Sequence, residues 1–337
     1  MQVRRDARLA DLTTLGVGGP IGRLVEVTTR SELVAAVTDA DAAGRPLLVL
    51  GGGSNVIGAD TGWSGDVVLV RTRGVTPTGR DGEIEVEAGE PWDDLVAHTV
   101  AEGLAGIEAL SGIPGSTGAT PVQNVGAYGQ EVAQTTTAVR VLERATGTER
   151  TLTPVELAFG YRDSLLKRSP GAFVVLSVTS GLSAQPQSMP VGYAELARTL
   201  GVELGECAPL ADVRAAVLQL RRSKGMVWDP ADPDTRSAGS FFTNPVVPVA
   251  AAVEGCPSWP AGEGRLKLSA AWLVQSAGYG KGTRAGRVGT SSRHSLALTT
   301  EPGATAAELL GFAQQVIGAV RDRFGVTLVP EPTTVAA

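Results

Sequence analysis

The stretch Pro46–Val56, PLLVLGGGSNV, joins a short apolar run to three consecutive glycines. The apolar run is typical of a buried strand, and the glycines let backbone N–H groups approach an anion closely. The stretch is not one of the two common nucleotide loops, because the chain contains neither G-x-G-x-x-G nor G-x-x-x-x-G-K-[ST]. Taken alone, it indicates either an anion-binding nest or an ordinary tight turn.

A second glycine-rich stretch is Ile113–Gly129, IPGSTGATPVQNVGAYG, in a segment (104–130) with few charges and many small polar residues. Such a segment is too long for an idle connection in a compact domain, so it predicts a working loop. Its backbone N–H groups suit a diphosphate. A structural Ω-loop is the alternative.

Composition limits the possible classes of protein. The 337 residues suggest two domains, at about 100–200 residues each. The net charge of −6 argues against a general nucleic-acid binder, although only 4 of the 29 basic residues are Lys, so most of the positive charge is permanent. The N-terminus is charged and no apolar run approaches the ~18 residues of a membrane span. These features predict a cytoplasmic protein that uses no membrane.

The two cysteines and two histidines argue against metal chemistry. Cys207 and Cys256 cannot build a disulfide scaffold or a cysteine-rich zinc site, so we expect free thiols in a reducing compartment. His98 and His294 lack any partner pattern for a metal, and we assign both to structural roles. We therefore predict no metal site.

Periodicity predicts a chain of mixed helices and strands. The first predicted helix begins after Ser31 and has an apolar face that runs from Leu33 to Ala40. The other predicted helices are Pro91–Gly103, Ala211–Arg222, Ser269–Ser276 and Thr305–Phe324. The predicted strands are Leu24–Val27, Pro46–Leu50, Val67–Val70, Glu83–Glu87, Val139–Arg144, Glu149–Leu152, Phe173–Val178, Arg293–Thr299 and Val326–Val329. Longer helices follow residue 184, and we place a domain boundary around Leu182–Gly205.

Five motifs in one order carry a family resemblance: Gly51–Val56, Ile113–Gly129, FGYRDS at Phe159–Ser164, GSFFTNP at Gly239–Pro245 and PEP at Pro330–Pro332. Together they resemble the UDP-N-acetylenolpyruvoylglucosamine reductases over essentially the whole chain. Tyr193, in Val191-Gly192-Tyr193, matches the family's subtype with a long substrate-covering loop.

The resemblance implies an α+β fold. It consists of a two-part FAD-binding domain of the vanillyl-alcohol oxidase type and a C-terminal α+β substrate-binding domain. We place the FAD domain at residues 1–184, the covering loop and connection at 185–214, and the substrate domain at 215–325. Residues 326–337 would be a strand and tail that return to the FAD domain.

The resemblance also implies a reaction in peptidoglycan precursor synthesis. NADPH reduces noncovalently bound FAD, and UDP-N-acetylglucosamine enolpyruvate then accepts hydride from flavin N5 at its vinyl carbon. A proton delivered to the adjacent carbon gives UDP-N-acetylmuramate. The developing charge on the substrate carboxylate needs preorganised donors, and the carbanion needs a proton donor over one face.

Three residues match the family's catalytic positions. Arg162 would hold the substrate carboxylate, Ser240 would donate the proton, and Glu331 would bond the carboxylate region while sharing a proton. Without the resemblance, each residue has a structural alternative. Arg162 would form an ion pair with Asp163 or a neighbour, Ser240 would be a cap or turn residue, and Glu331 would be a solvated glutamate of the tail. The family often places an aliphatic residue and an arginine after the glutamate, where this chain has Pro332-Thr333, so a local ion pair there is in doubt.

The remaining assignments concern ligand binding. Tyr193 would close on the substrate nucleotide, Lys224 would contact the UDP-sugar, and Asn244 would bond the diphosphate. Their alternatives are a half-buried core tyrosine for Tyr193 and, for Lys224, a lysine that interacts with the helix dipole. The predicted FAD-binding residues are Gly51, Gly52, Gly53, Ser54, Asn55, Val56, Pro114, Gly115, Ser116, Gly118, Ala119, Gln123, Asn124, Gly126 and Ala127.

Two other functions stay open at this stage. An O₂-using oxidase of the same fold would have no role for Arg162, Ser240 and Glu331 together. A nonenzymatic nucleotide-sugar-binding protein would have no need of the glycine-rich flavin loops. For the reductase we expect a monomer whose partners are NADPH and the UDP-sugar substrate, with no nucleic acid.

Overall fold

The computed structural model describes residues 1–336 and divides the chain into two compact units. The first unit contains residues 1–7, 21–52 and 64–222, and the second contains 8–20, 53–63 and the chain from 223 onward. The units interleave along the chain. They therefore do not map one to one onto the four consecutive segments that we predict from the sequence.

The first unit contains a four-stranded sheet, covered by the helix Arg30–Ala42. The strand order is Gln2–Arg4, Ile21–Val27, Trp63–Val70 and Leu47–Leu50. The last pair is parallel, with Leu50 opposite Leu69. The Thr29 hydroxyl accepts from the Glu32 N–H and caps the helix, whose Leu33 and Val37 pack in the core with the sheet.

The second sheet of this unit is antiparallel and has five strands. Their order is Thr148–Leu152, Thr136–Glu143, Phe173–Gly181, Glu83–Glu87 and Val75–Pro77. The predicted strand Glu83–Glu87 is confirmed, and its alternation of Glu with Ile and Val makes it one-sided: Ile84 and Val86 are buried while the glutamates stay partly exposed. Trp92 and Leu95 of the helix Trp92–Ala101 share a core with these strands.

Short elements complete the first unit. Its other helices are Pro154–Leu157, Leu165–Arg168, Ala194–Leu200 and Leu210–Ser223, with 3₁₀ turns at Glu108–Leu110, Thr117–Ala119 and Val132–Gln134. Its short strands are Leu104–Ala105 with Ser183–Ala184, and Gly126–Ala127 with Gln130–Glu131. The predicted working loop is therefore a compact chain of turns rather than an extended segment.

The second unit combines small antiparallel sheets with two helices. One sheet has the order Ser237–Ser240, Ala297–Thr300, Val288–Thr290, Arg284–Ala285, and another has Val246–Pro248, Arg265–Leu268, Ser258–Pro260. The helices are Ala270–Ser276 and Ala306–Phe324, and 3₁₀ turns lie at Leu9–Leu12, Pro233–Thr235 and Val249–Ala251. Phe241, Phe242, Leu273, Leu309 and Val316 lie in its core.

The C-terminal strand differs from the prediction. Residues 326–329 make no strand pairing, and the strand is instead Thr333–Val335, which runs parallel to Val56–Gly58. Val326 and Leu328 are buried while Val329 is exposed. The pattern of residues that predicted a strand therefore indicates only that one side of the segment is buried. The predicted strand Arg293–Thr299 also begins late, at Ala297, because the Ser291 hydroxyl accepts the Arg293 and His294 N–H groups in a turn.

None of the helices in the described residues is both long enough and apolar enough to cross a membrane. The mixed helices and sheets confirm the predicted α+β class.

Candidate active site

Two glycine-rich loops of the first unit lie against each other. A Cβ on Gly52 would be 2.6 Å from the Cα of Gly115, and a Cβ on Gly51 would be 2.1 Å from the Oγ of Ser116. At Gly52 the near atoms are backbone, so only glycine allows the two backbones to approach so closely, whereas a side chain on Gly51 would collide with that of Ser116. The structure thus brings together the two segments whose glycines predict a cofactor site.

The second loop is held in place by backbone hydrogen bonds. Trp92 N–H donates to the Gly115 carbonyl (3.1 Å), Thr117 N–H to the Glu90 carbonyl (2.8 Å) and Gly118 N–H to the Ala88 carbonyl (2.8 Å). The paired loops present backbone rather than side chains where the strand Leu47–Leu50 ends. Backbone N–H groups at such a turn can bind the pyrophosphate of a dinucleotide, so the residues of these two loops are the ones that would hold FAD.

The other predicted FAD residues are distributed over both units. Gly53, Ser54, Asn55 and Val56 belong to the second unit, in which the Gly53 carbonyl accepts Thr14 N–H at 3.2 Å. In the first unit Pro114, Gln123, Gly126 and Ala127 are half-buried, and Ala119 is exposed.

The Asn124 side chain is used within the protein. Its Nδ2 donates to the Glu131 Oε2 (2.8 Å) and to the Gly160 carbonyl (3.0 Å), and its Oδ1 accepts Ala133 N–H (3.1 Å). Asn124 is buried and has φ of 49°, in the left-handed region. Its side chain thus joins the end of the second loop to the turn that contains Arg162.

Arg162 lies in a tight turn with a strained backbone. Gly160 and Asp163 exchange N–H···O=C hydrogen bonds of 2.9 and 3.3 Å, and Arg162 has φ of 52°. Its Nη2 donates to the Gly126 carbonyl at 2.7 Å, and its Nη1 donates to the Asn124 carbonyl at 3.3 Å. A residue with a side chain costs about 1–2 kcal/mol in the left-handed region, and such strain often accompanies function.

Tyr193 meets a second tyrosine. Its ring lies 5.4 Å from that of Tyr128 in an edge-to-face contact, and the backbones of Gly129 and Gly192 meet beside it. A Cβ on Gly129 would be 3.1 Å from the carbonyl carbon of Gly192. Tyr193 stays 43% exposed, so a ligand can reach it.

Tyr128 and Arg221 are functional candidates that the sequence analysis missed. Burial raises the pKa of the Tyr128 phenol to about 12, against the opposing charge of Arg221. Arg221 is only 8% exposed, and burial lowers the pKa of its guanidinium while Tyr128 and Asp93 oppose that shift. Burial also raises the pKa of Asp93, but hydrogen bonds from Arg214 and Gly112 N–H leave it lowered.

In the second unit Ser240 ends a strand directly after a bulge. Ser237 pairs with Thr299 and Ser240 with Ala297, with an irregular register between them at Gly239, whose φ is 71°. A bulge of this kind turns the following side chain to a new direction. Phe241 comes next and is fully buried, which fixes the end of the strand.

Glu331 is held beside this strand. Its N–H donates to the Phe241 carbonyl at 2.8 Å, and its own carbonyl accepts the Asn55 Nδ2 at 3.3 Å. Thr333 N–H donates to the Asn55 carbonyl at 3.0 Å. The structure therefore brings Glu331 and Asn55 next to the residue that follows Ser240.

Asn244 and Lys224 occupy the same unit. The Asn244 Oδ1 accepts Ala270 N–H at 2.9 Å, at the start of the helix Ala270–Ser276. Lys224 is half-buried and follows the helix Leu210–Ser223 directly in sequence. Among residues 1–336, no group of three or more His, Cys, Asp or Glu side chains is arranged to hold a metal ion.

Two segments of the chain match known protein families. Residues 21–153 match the family model described as FAD binding domain, and 230–335 match that of the UDP-N-acetylenolpyruvoylglucosamine reductase C-terminal domain. The glycine loops and the FAD-binding domain make the protein an FAD-dependent oxidoreductase.

Relatives then identify the family. The chain is 51% identical to UDP-N-acetylenolpyruvoylglucosamine reductase of Thermobifida fusca, over 98% of this chain and 97% of that protein. It is 53% identical to the Nocardia farcinica reductase, over 99% and 90% of the two chains. The crystal structure of the Thermus caldophilus reductase is 28% identical, covers 100% of both chains and has a TM-score of 0.70. The chain belongs to the UDP-N-acetylenolpyruvoylglucosamine reductase family.

This membership confirms the family resemblance, the FAD cofactor and the reductase function over the oxidase and the nonenzymatic alternatives.

Proposed function

We propose that this enzyme uses NADPH to reduce UDP-N-acetylglucosamine enolpyruvate to UDP-N-acetylmuramate by the route outlined below. The two glycine-rich loops would hold FAD, which would supply the redox chemistry, the transfer of a hydride from NADPH to the vinyl carbon of the substrate. Family membership supports this reaction. The roles of individual residues are those that the family resemblance implies, and their local geometry supports them.

Arg162 binds the substrate carboxylate and stabilises the charge that grows on it. A guanidinium has five N–H donors in a fixed planar fork, so it can be anchored and still bind a carboxylate. Its hydrogen bonds to the Asn124 and Gly126 carbonyls support this role, because they fix the side chain before substrate arrives. The left-handed backbone is a second support, since glycine would relieve the strain but lack the cation.

Ser240 donates the proton, and Glu331 assists on the carboxylate side. After hydride adds to the vinyl carbon, the electron pair of the double bond moves to the adjacent carbon. The Ser240 Oγ–H protonates that carbon, and the serine recovers a proton from water. The observation that carries this proposal is the hydrogen bond from Glu331 N–H to the carbonyl of Phe241, the residue directly after Ser240, which brings two parts of the chain 90 residues apart in sequence together.

Tyr193, Lys224 and Asn244 bind the rest of the substrate. The exposed ring of Tyr193 covers the nucleotide, Lys224 contacts the UDP-sugar, and Asn244 bonds the diphosphate. The half-buried position of Lys224 and the exposure of Tyr193 support these assignments.

We further propose a monomer that works in the cytoplasm without nucleic acid or membrane. Cys207 and Cys256 are both free thiols, which suits a reducing compartment. The net charge of −6 opposes binding to polyanions. Light scattering of the purified protein tests the monomer, and a dimer mass would refute it.

The reaction is tested with the purified holoenzyme without oxygen. NADPH should bleach the yellow absorption of the oxidised flavin, and UDP-N-acetylglucosamine enolpyruvate should restore it with formation of UDP-N-acetylmuramate. Bleaching that only oxygen reverses would refute the proposed substrate.

A further inference from the structure

A fully buried glutamate lies beneath the loop that carries Tyr193. Glu108 is 1% exposed, in the 3₁₀ turn Glu108–Leu110. Its Oε2 accepts Gly106 N–H at 2.6 Å, and its Oε1 accepts the Gln130 Nε2 at 2.9 Å and Met189 N–H at 2.8 Å. Burying a carboxylate is costly unless hydrogen bonds replace its water, and here three donors from three separate segments do so.

Two of these donors lie close in sequence to the tyrosine pair. Gln130 is two residues after Tyr128, and Met189 is four residues before Tyr193. Glu108 therefore links the backbone of the covering segment to the loop on which that segment rests. The Gln130 Oε1 accepts Ala109 N–H at 2.8 Å, which fixes Gln130 to the same turn.

The covering segment is held on its other side by a hairpin-like contact. Ser188 N–H donates to the Ala208 carbonyl at 2.7 Å, and Val191 N–H donates to the Glu206 carbonyl at 2.8 Å. These bonds attach the segment to residues 206–208, which belong to the same connection. The Glu108 hydrogen bond to Met189 instead attaches it to the glycine-rich loop region.

We propose that Glu108 is a positioning residue for substrate binding, which holds the Tyr193 segment against Tyr128 and Gly129. This inference rests on the proposed role of Tyr193 at the substrate nucleotide. All three groups that face the Glu108 carboxylate are N–H donors, so an acceptor-only side chain is required. A glutamine would turn an NH₂ group toward either Gly106 N–H or the other two donors.

The test is a double-mutant cycle on the full-length holoenzyme with Glu108→Gln and Tyr193→Ala. Glu108→Gln should raise KM for UDP-N-acetylglucosamine enolpyruvate roughly tenfold, as for one lost charge-assisted hydrogen bond, with kcat within about twofold. In the Tyr193→Ala background the same change should alter KM by less than about twofold, because the residue that it positions is gone. A purely structural glutamate would lower stability in both backgrounds without this coupling.

Glu156→Gln is the matched control, since Glu156 also accepts three hydrogen bonds, from Thr153 N–H (2.8 Å), Thr153 Oγ1 (2.9 Å) and Arg150 (2.7 Å), away from the tyrosine pair. Its KM should not change. If Glu108→Gln fails to fold, Glu108→Asp keeps the charge but is one methylene too short to reach both Gly106 and Met189, and should show the same coupling.

The outcomes separate the two proposals. Additive effects of the Glu108 and Tyr193 variants on KM would overturn the positioning role while leaving the substrate contact of Tyr193 intact. A Tyr193→Ala variant with unchanged KM would refute that contact, and the positioning role would fall with it.

Discussion

Replacing Arg162 by lysine keeps the charge but removes the planar fork. Arg162 reaches two carbonyls at once, with Nη2 2.7 Å from the Gly126 oxygen and Nη1 3.3 Å from the Asn124 oxygen. Lysine has a single nitrogen, which cannot keep both anchors and also present two parallel donors to a carboxylate. The backbone strain at φ 52° is the same for both side chains, so the difference in rate reports the side chain alone.

The expected loss is large and falls mainly on turnover. Losing a preorganised donor pair costs about 3–4 kcal/mol, or roughly 10²–10³ in kcat. The substrate carboxylate is charged before the reaction as well, so KM for the enolpyruvyl substrate should also rise. The effect on kcat should be the greater one, because charge on the carboxylate oxygens grows in the transition state.

Steady-state kinetics with varied enolpyruvyl substrate measures both constants. Arg168→Lys is the matched control, because Arg168 lies close by in the chain but forms a surface ion pair with Asp163. A surface pair contributes about 1 kcal/mol or less, and kcat of this control should stay close to that of the wild type. If Arg162→Lys raised KM with kcat unchanged, Arg162 would only anchor the substrate and its proposed role in catalysis would be wrong.

Three further outcomes are expected. Ser240→Ala should leave flavin reduction by NADPH near the wild-type rate but slow reoxidation by the enolpyruvyl substrate by ~10³-fold or more, measured by anaerobic stopped flow; equal losses in both half-reactions would indicate a structural serine. Gly52→Ala should lower the flavin content of the purified protein, because its Cβ would lie 2.6 Å from the backbone of Gly115, whereas Gly311→Ala, in open space on a helix, should keep FAD and gain about 0.5–1 kcal/mol in urea unfolding. The free energy of unfolding should fall as pH rises from about 10 to about 12, because the pKa of the Tyr128 phenol is about 12 in the folded protein and about 10 in the unfolded chain. The free energy of unfolding of Tyr128→Phe should depend less steeply on pH in this range. An unchanged dependence would contradict the effect of burial on Tyr128.

Elements with local signals could be predicted from the sequence. The helix predicted at Thr305–Phe324 is observed at Ala306–Phe324, because Thr305 and Glu308 form a capping box and Gly325 ends it with φ of 68°. The turn Glu143–Thr148 and its flanking strands also depend on neighbours in sequence. Such signals need no knowledge of distant parts of the chain.

Elements that depend on distant partners could not be predicted in this way. The strand Thr333–Val335 forms because Val56–Gly58, almost 280 residues earlier in the chain, offers a parallel edge. Val326 and Leu328 have the alternation of a strand, yet only the end of this segment is paired, through Thr243 N–H to the Val329 carbonyl and the isolated bridge between Phe242 and Pro330. Alternation indicates which face is buried, whereas a strand also requires a hydrogen-bonding partner.

The two residues that the sequence analysis did not predict, Arg221 and Glu108, differ in whether the sequence contains a signal for them. Arg221 continues the series Val213, Val217 at a spacing of four, so it occupies a core position of its helix. A cation on an apolar stripe is a signal for a buried charge, and it could have been found. Glu108 has no such signal, because its role arises from Gly106 and Met189, one of which lies 81 residues away.

Backbone conformation is one property of the proposed site that residue types alone do not predict. Four non-glycine residues of the described chain have positive φ, and three of them, Asn124, Tyr128 and Arg162, belong to the proposed site. Glycine would relieve the backbone strain at each of these positions, so the residue types present give no hint of a left-handed turn there. The strain costs about 1–2 kcal/mol for each residue. It accompanies the Asn124 amide that joins two loops, the Tyr128 ring against Tyr193 and the Arg162 guanidinium that we propose binds a carboxylate. Three of the four strained positions therefore coincide with the proposed site, whereas the glycines Gly51 and Gly52 let the two loops approach each other.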